Sequence, residues 1–291
     1  MRILLTNDDG YRAAGIRAVR DALARSGQCE SVVTVAPDEN CSGFARKCTF
    51  SRPVAVRRVE AGQHPIYRCD GTPTDCVRVG LLGGLAVAAD LVISGINHGA
   101  NLADDVNYSG TIGAGLEAAI LGVPAICLSL QTPSGSFSVN YDESIDTRYD
   151  FGLASDHGTR LAAAVAEAKP AEPVVLSVNY PARPADRPPV LTRPGQRDYP
   201  RSAVADWDDD AEVRHLYLFG EPDEAIPESG DVWGTDIAAL RAGRISITPL
   251  SFALGARDLS PAHRDFFARL GGSIELTDSP GFSSAAGGLV G

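Results

Sequence analysis

Short apolar runs alternate with stretches whose apolar residues recur every three or four positions, and this alternation fills the first 180 residues. Strands buried on both faces between covering helices produce that pattern, so it predicts a mostly parallel sheet in an α/β protein. Strands are expected over residues 3–6, 32–36, 91–94, 125–130 and 174–179, and helices over 16–25, 74–82, 113–121 and 159–168. Residues 54–59 and 65–69 read as the two strands of a hairpin-like excursion.

From residue 132 the chain turns polar, and the stretch up to the helix at 159 reads as a loop. The expected organisation is a catalytic core over 1–180 and an extended arm or subdomain, rich in Pro, Asp and Arg, over 181–235. A C-terminal part over 236–280 follows, with a last strand in "RISITPLSF" and a last helix over 262–270, and then a disordered tail over 281–291, rich in Gly, Ser and Ala.

Composition narrows the functional classes. With 26 Lys and Arg against 37 Asp and Glu, the net charge is −11, which argues against a protein that binds nucleic acid by neutralising phosphates. No apolar stretch reaches membrane-span length and no secretory signal is evident, so a cytoplasmic protein without membrane or nucleic-acid partners is expected. Six cysteines without a C-x-x-C pair read as reduced thiols, and Cys41 lies in a loop that carries candidate chemistry.

Most of the chemistry-bearing clusters follow a predicted strand or begin the next helix, where ligands bind in open α/β sheets. Asn7-Asp8-Asp9-Gly10 ends the first strand. It reads either as a turn or as a metal site, because two adjacent anions there repel unless a cation or hydrogen bonds neutralise them. Ser42 and Gly43 follow the second strand and Asn97 follows the strand at 91–94. Ser109, Gly110 and Thr111 lead into a helix whose free N–H groups and dipole make an anion site.

Asp8, Asp9, Ser42 and Asn97 make an all-oxygen set suited to Mg or Mn bound together with a phosphate. Asp75 and Asp236 read as helix-start residues, and Asp208 to Asp210 as a solvated loop. His98 is the only histidine in a candidate loop, where the solvated reading is favoured over a catalytic one. There is no Walker A motif, G-x-G-x-x-G fingerprint or G-x-S-x-G elbow, so nucleotide-triphosphate, dinucleotide and serine-hydrolase chemistry all lose ground.

These residues resemble the SurE survival-protein family of metal-dependent nucleoside monophosphate phosphatases. The matching stretches are "ILLTNDDG", "AP" with "N.SG" at 36–43, "GTPTDCV", "SGINHGANLADDVNYSGTIGAGLEA", "GVPAI", and "GTD" with "ISITPL". The resemblance implies a Rossmann-like three-layer α/β/α sandwich with a C-terminal extension that builds a homodimer or homotetramer. It implies one divalent metal ion per subunit, Mg or Mn, on Asp8, Asp9, Ser42 and Asn97, with Asp8 and Asp9 catalytic, and phosphate contacts at Gly43, Asn97, Ser109, Gly110 and Thr111.

The implied substrate is a small phosphorylated molecule, a 5' or 3' nucleoside monophosphate, hydrolysed either by water or through an aspartyl-phosphate. Two departures lie close by: Arg46 and Lys47 stand where relatives carry small polar residues, and the loop over 132–157 is longer. The added charges leave open a phosphatase for a more anionic metabolite, and a catalytically silent nucleotide-binding protein is the rival from another class.

Overall fold

The apolar run near the amino end becomes β1 (Arg2–Thr6), every residue of which after Arg2 is buried. The computed structural model describes residues 1–86, 88–133, 148–197, 204–206, 215–217 and 234–251. The later strands are β2 (Ser31–Pro37), β3 (Val56–Glu60), β4 (Ile66–Cys69), β5 (Leu91–His98), β6 (Ala125–Leu130), β7 (Val175–Tyr180) and β8 (Val190–Leu191). β9 (Val204–Asp206) and β10 (His215–Tyr217) pair antiparallel as a separate ribbon, and β11 (Ser246–Leu250) is the last among the described residues.

Nine of these strands form one sheet in the order β3-β4-β2-β1-β5-β6-β7-β11-β8. Pairing is parallel except for β3 against β4 and β11 against β7. β1 has β2 on one side and β5 on the other, with Leu4 opposite Val33 and Val92. Strand order reverses at β1, so the crevice at its carboxyl end is the switch point of the sheet.

Alternate residues of β1 serve opposite faces. Ile3 and Leu5 pack with Ile16, Val19 and Leu23 of α1 (Ala14–Arg25), while Leu4 packs with Cys76 and Val77 of α2 (Pro73–Leu82). α3 (Gly110–Ile120) shares the α2 face through Ala114 and Ala118. α4 (Gly152–Ala168) shares the α1 face through Ala154 and Ala162. The result is three α/β/α layers, and the short α5 (Asp236–Arg241) precedes β11. All six cysteines are free thiols. Among the described residues, no helix is long and apolar enough to cross a membrane.

Several boundaries differ from the expectation. β5 continues past Ser94 to His98 through a cis Gly95–Ile96 peptide and a register shift against β6. The glycine and asparagine in that stretch look like a turn, so Asn97 belongs to the strand's end and not to a loop after it. α4 begins at Gly152 and not at 159, because its first turns carry Ser155, Asp156 and His157, which look like loop while Ala154 is buried. The expected helix over 262–270, the tail over 281–291 and the acidic run at 208–210 lie outside the described residues.

Candidate active site

Asp8 and Asp9 leave β1 at the switch point and are nearly buried, at 3% and 5% exposure. Asn7 fixes the turn by donating from Nδ2 to the Gly10 carbonyl at 2.9 Å. Its Oδ1 is buried with no hydrogen-bond partner among the described residues. Asn7 to Gly10 thus form a tight turn, and that turn carries both carboxylates at the end of β1.

Each carboxylate is held by a different strand connection. The Thr111 hydroxyl, in the first turn of α3, donates to Asp8 Oδ1. Ser109 caps that helix, its oxygen accepting from the Ile112 N–H at 3.1 Å. α3 approaches so closely that a Cβ on Gly110 would stand 2.8 Å from the Asp8 Cβ, a contact only glycine allows. Burial and the neighbouring Asp9 charge push the Asp8 carboxyl up to about 7, against the pull of the Thr111 hydrogen bonds.

Asp9 meets the end of β5. Its Oδ2 accepts from the His98 N–H at 3.4 Å and lies 3.1 Å from His98 Nδ1. His98 is not solvated: its ring is buried edge-on against Tyr149 and Phe151, at 4.9 and 5.0 Å between centroids. It thus orients Asp9, a role its place in the sequence did not disclose because both aromatic partners lie far along the chain. Next to it, Asn97 donates from Nδ2 to the Gly99 carbonyl at 2.9 Å, which leaves its amide oxygen as the acceptor.

The segment after β2 is tied to the same centre. Cys41 N–H donates to the Asp8 carbonyl at 2.7 Å, and Ser42 N–H to Asn40 Oδ1 at 2.7 Å. Ser42 is half-buried and Gly43 exposed. The Cys41 thiol is pushed up to about 12 by burial and the Asp8 charge, so it is no nucleophile. Ala45 N–H donates to the Tyr108 carbonyl at 3.1 Å, and a Cβ on Gly113 would stand 2.4 Å from the Ala45 carbonyl oxygen, so this segment is seated on α3.

Arg46, expected as added charge beside the site, is ion-paired. Its Nη2 is 3.3 Å from Oε2 of the buried Glu117, whose Oε1 is 2.7 Å from Arg78. The guanidinium fastens the segment after β2 to α3. Lys47 lies with its Nζ 4.5 Å from the centre of the Phe44 ring.

Asp75 is a cap, as its position implied: Thr72 and Asp75 form a capping box at α2. Asp236 is also structural, but its reach was not visible in the sequence. Its carboxylate accepts from the N–H groups of Ala103, Gly195 and Ile237 at 2.8–2.9 Å. Ala103 lies in the connection between Asn97 and Ser109, so Asp236 braces the loop that frames the site.

Fold and geometry define a doubly wound α/β protein that holds a buried carboxylate pair against a helix start at the sheet's switch point. The chain belongs to the SurE family: the family model described as Survival protein SurE matches residues 3–201. Similar proteins include the 5'-nucleotidase SurE of Geobacter sulfurreducens, 40% identical over 256 residues that cover 87% of this chain and 89% of that protein. The 5'-nucleotidase SurE of Thermosynechococcus vestitus is 38% identical over 269 residues, covering 89% and 96%. The crystal structure of the SurE protein from Aquifex aeolicus superposes with a TM-score of 0.67 at 32% identity, covering 87% of this chain and 94% of that one.

Proposed function

We propose that this protein is a divalent-metal-dependent phosphomonoester hydrolase that releases phosphate from nucleoside monophosphates, a 5'-nucleotidase also able to take the 3' isomers. The observation that carries the reading is the buried Asp8–Asp9 pair held against the first turn of α3 by Thr111. The names of the relatives give the reaction class.

The residues present fit a hard cation. Two buried adjacent carboxylates repel each other, and a divalent ion neutralises them. Among the described residues, no three His, Cys, Asp or Glu side chains group as a metal site. With Ser42 and Asn97, the carboxylates make an all-oxygen donor set, which suits Mg or Mn. Asp8, Asp9, Ser42 and Asn97 would hold the ion.

A bound divalent ion supplies charge neutralisation at a phosphoryl oxygen and a water of lowered pKa. The chain supplies the rest. Backbone N–H groups at Ser109, Gly110 and Thr111, with Gly43 and Asn97, bind the phosphate oxygens and stabilise the charge that grows on them in the transition state. Thr111 and His98 each fasten one carboxylate oxygen, so both aspartates keep a fixed orientation through turnover.

Asp8→Asn tests the site. The asparagine oxygen can still accept from Thr111, so the fold is retained while one charge is lost. Metal-dependent phosphate release from AMP is expected to fall at least about a hundredfold with an unchanged circular dichroism spectrum. Unchanged turnover at saturating Mg or Mn would refute the assignment.

A further inference from the structure

Beside the site, on the same carboxyl edge of the sheet, the ends of β2 and β4 frame a cavity of about 550 Å³. Small-ligand pockets span roughly 300–1,000 Å³, so a nucleoside fits within it. Cys41 and Phe44, which flank Ser42 and Gly43, line it, and Cys41 donates its N–H to the Asp8 carbonyl at 2.7 Å. A second cavity at the ends of β6 and β7 holds about 170 Å³, below that range.

Two features of the larger cavity select its occupant. Phe44 and Phe50 line it and are 39% and 93% exposed, although burying a phenylalanine is favourable. Phe50 offers its ring to solvent, and the Phe44 ring carries the Lys47 ammonium over one face; flat heteroaromatic groups stack on such exposed rings. Carboxylates outnumber cations along the cavity, which disfavours a further anion. Asp38, Glu39 and Asp70 stand against Lys47 and Arg52. Arg52 Nη1 is spent on Asp70 at 2.9 Å, and the Lys47 ammonium lies over Phe44.

We propose that this cavity is the nucleoside subsite, in which the base stacks on Phe44 and Phe50 while the phosphate sits at the start of α3. The inference rests on the nucleotidase reading and deepens it: an uncharged heteroaromatic group selects the substrate, and a second phosphate does not. Phe44 and Phe50 are the specificity-determining residues.

The test compares AMP with ribose 5-phosphate, which lacks the base, in the metal-loaded full-length enzyme. Phe50→Ala removes an exposed ring, and Phe44→Leu keeps apolar bulk but removes the π-face. In each variant the ratio of kcat/KM for AMP to that for ribose 5-phosphate is expected to fall about tenfold, the loss of a single stacking contact. Adenosine binding to metal-free protein, followed by calorimetry, is expected to weaken by a similar factor.

Equal losses on the two phosphoesters, or an unchanged adenosine affinity, would overturn the subsite. Wild-type protein that releases no phosphate from AMP would overturn the nucleotidase reading instead. The adenosine titration of the two variants would then decide the subsite alone: weakened binding keeps it and unchanged binding removes it.

Discussion

Asp8 is crowded by a glycine. A Cβ on Gly110 would come within 2.9 Å of Asp8 Oδ2 as well as 2.8 Å of its Cβ, so the carboxylate and the helix start occupy adjoining space with nothing between them. Gly110→Ala favours the helix intrinsically by up to about 1 kcal/mol. It must nonetheless displace Asp8 or α3 by several tenths of an ångström. Since a misplacement of about 1 Å can cost a hundredfold in rate, this variant is expected to lose at least about tenfold in kcat while remaining folded. Phosphate release together with thermal unfolding checks it. A variant with full activity would mean that the close approach is not needed.

The capping box at α2 shows the same coupling at the scale of an element. Burial alone would push the Asp75 carboxyl up, but hydrogen bonds from the Thr49 and Thr72 N–H groups and hydroxyls win, and its folded pKa lies below the usual 3.8. A depressed carboxyl contributes stability above its unfolded pKa and loses it as pH falls through the folded value. Asp75→Asn is therefore expected to cost about 1 kcal/mol at pH 7. The difference from wild type should shrink as pH falls below 3.8, read from denaturant midpoints across pH 3 to 7. A difference constant with pH would show that the charge on Asp75 is not what stabilises the cap.

This box was legible in the sequence because its signal is local: Thr72 and Asp75 are three positions apart beside a proline. The strands were legible for a similar reason, since a buried strand is a contiguous apolar run. What escaped is what three-dimensional proximity creates. The extension of β5 crosses a glycine that reads as a turn, and the Thr111 hydroxyl on Asp8 spans 103 positions of sequence. His98 looked solvated because Asp9, Tyr149 and Phe151 come from other elements, and Arg46 looked like unpaired charge beside the site because Glu117 lies 71 positions away on α3.

Across the whole sheet, the longest of these links joins the end of the described chain to the site. β11 runs antiparallel to β7 and follows α5, whose first residue, Asp236, reaches Ala103 across 133 positions of sequence. A single carboxylate gathers three backbone N–H groups, from Ala103, Gly195 and Ile237, and Asn101 beside Ala103 is fixed to β7 by its N–H to Asn179 Oδ1 at 2.8 Å. The loop from Asn97 to Ser109 is thus held at its middle by the far side of the sheet, and both of its ends carry site residues. Asp236→Ala leaves those donors without their acceptor in a buried position, where each unmade bond costs about 1–3 kcal/mol. Faster amide exchange is expected at Ala103 and Gly195 first, with a lower melting temperature. Metal-activated phosphate release should also weaken, because Asn97 and the α3 start lose their common brace. Exchange at Ala103 as slow as in the wild type would show that the β7 contacts alone set this loop, and activity would then be expected to survive the substitution.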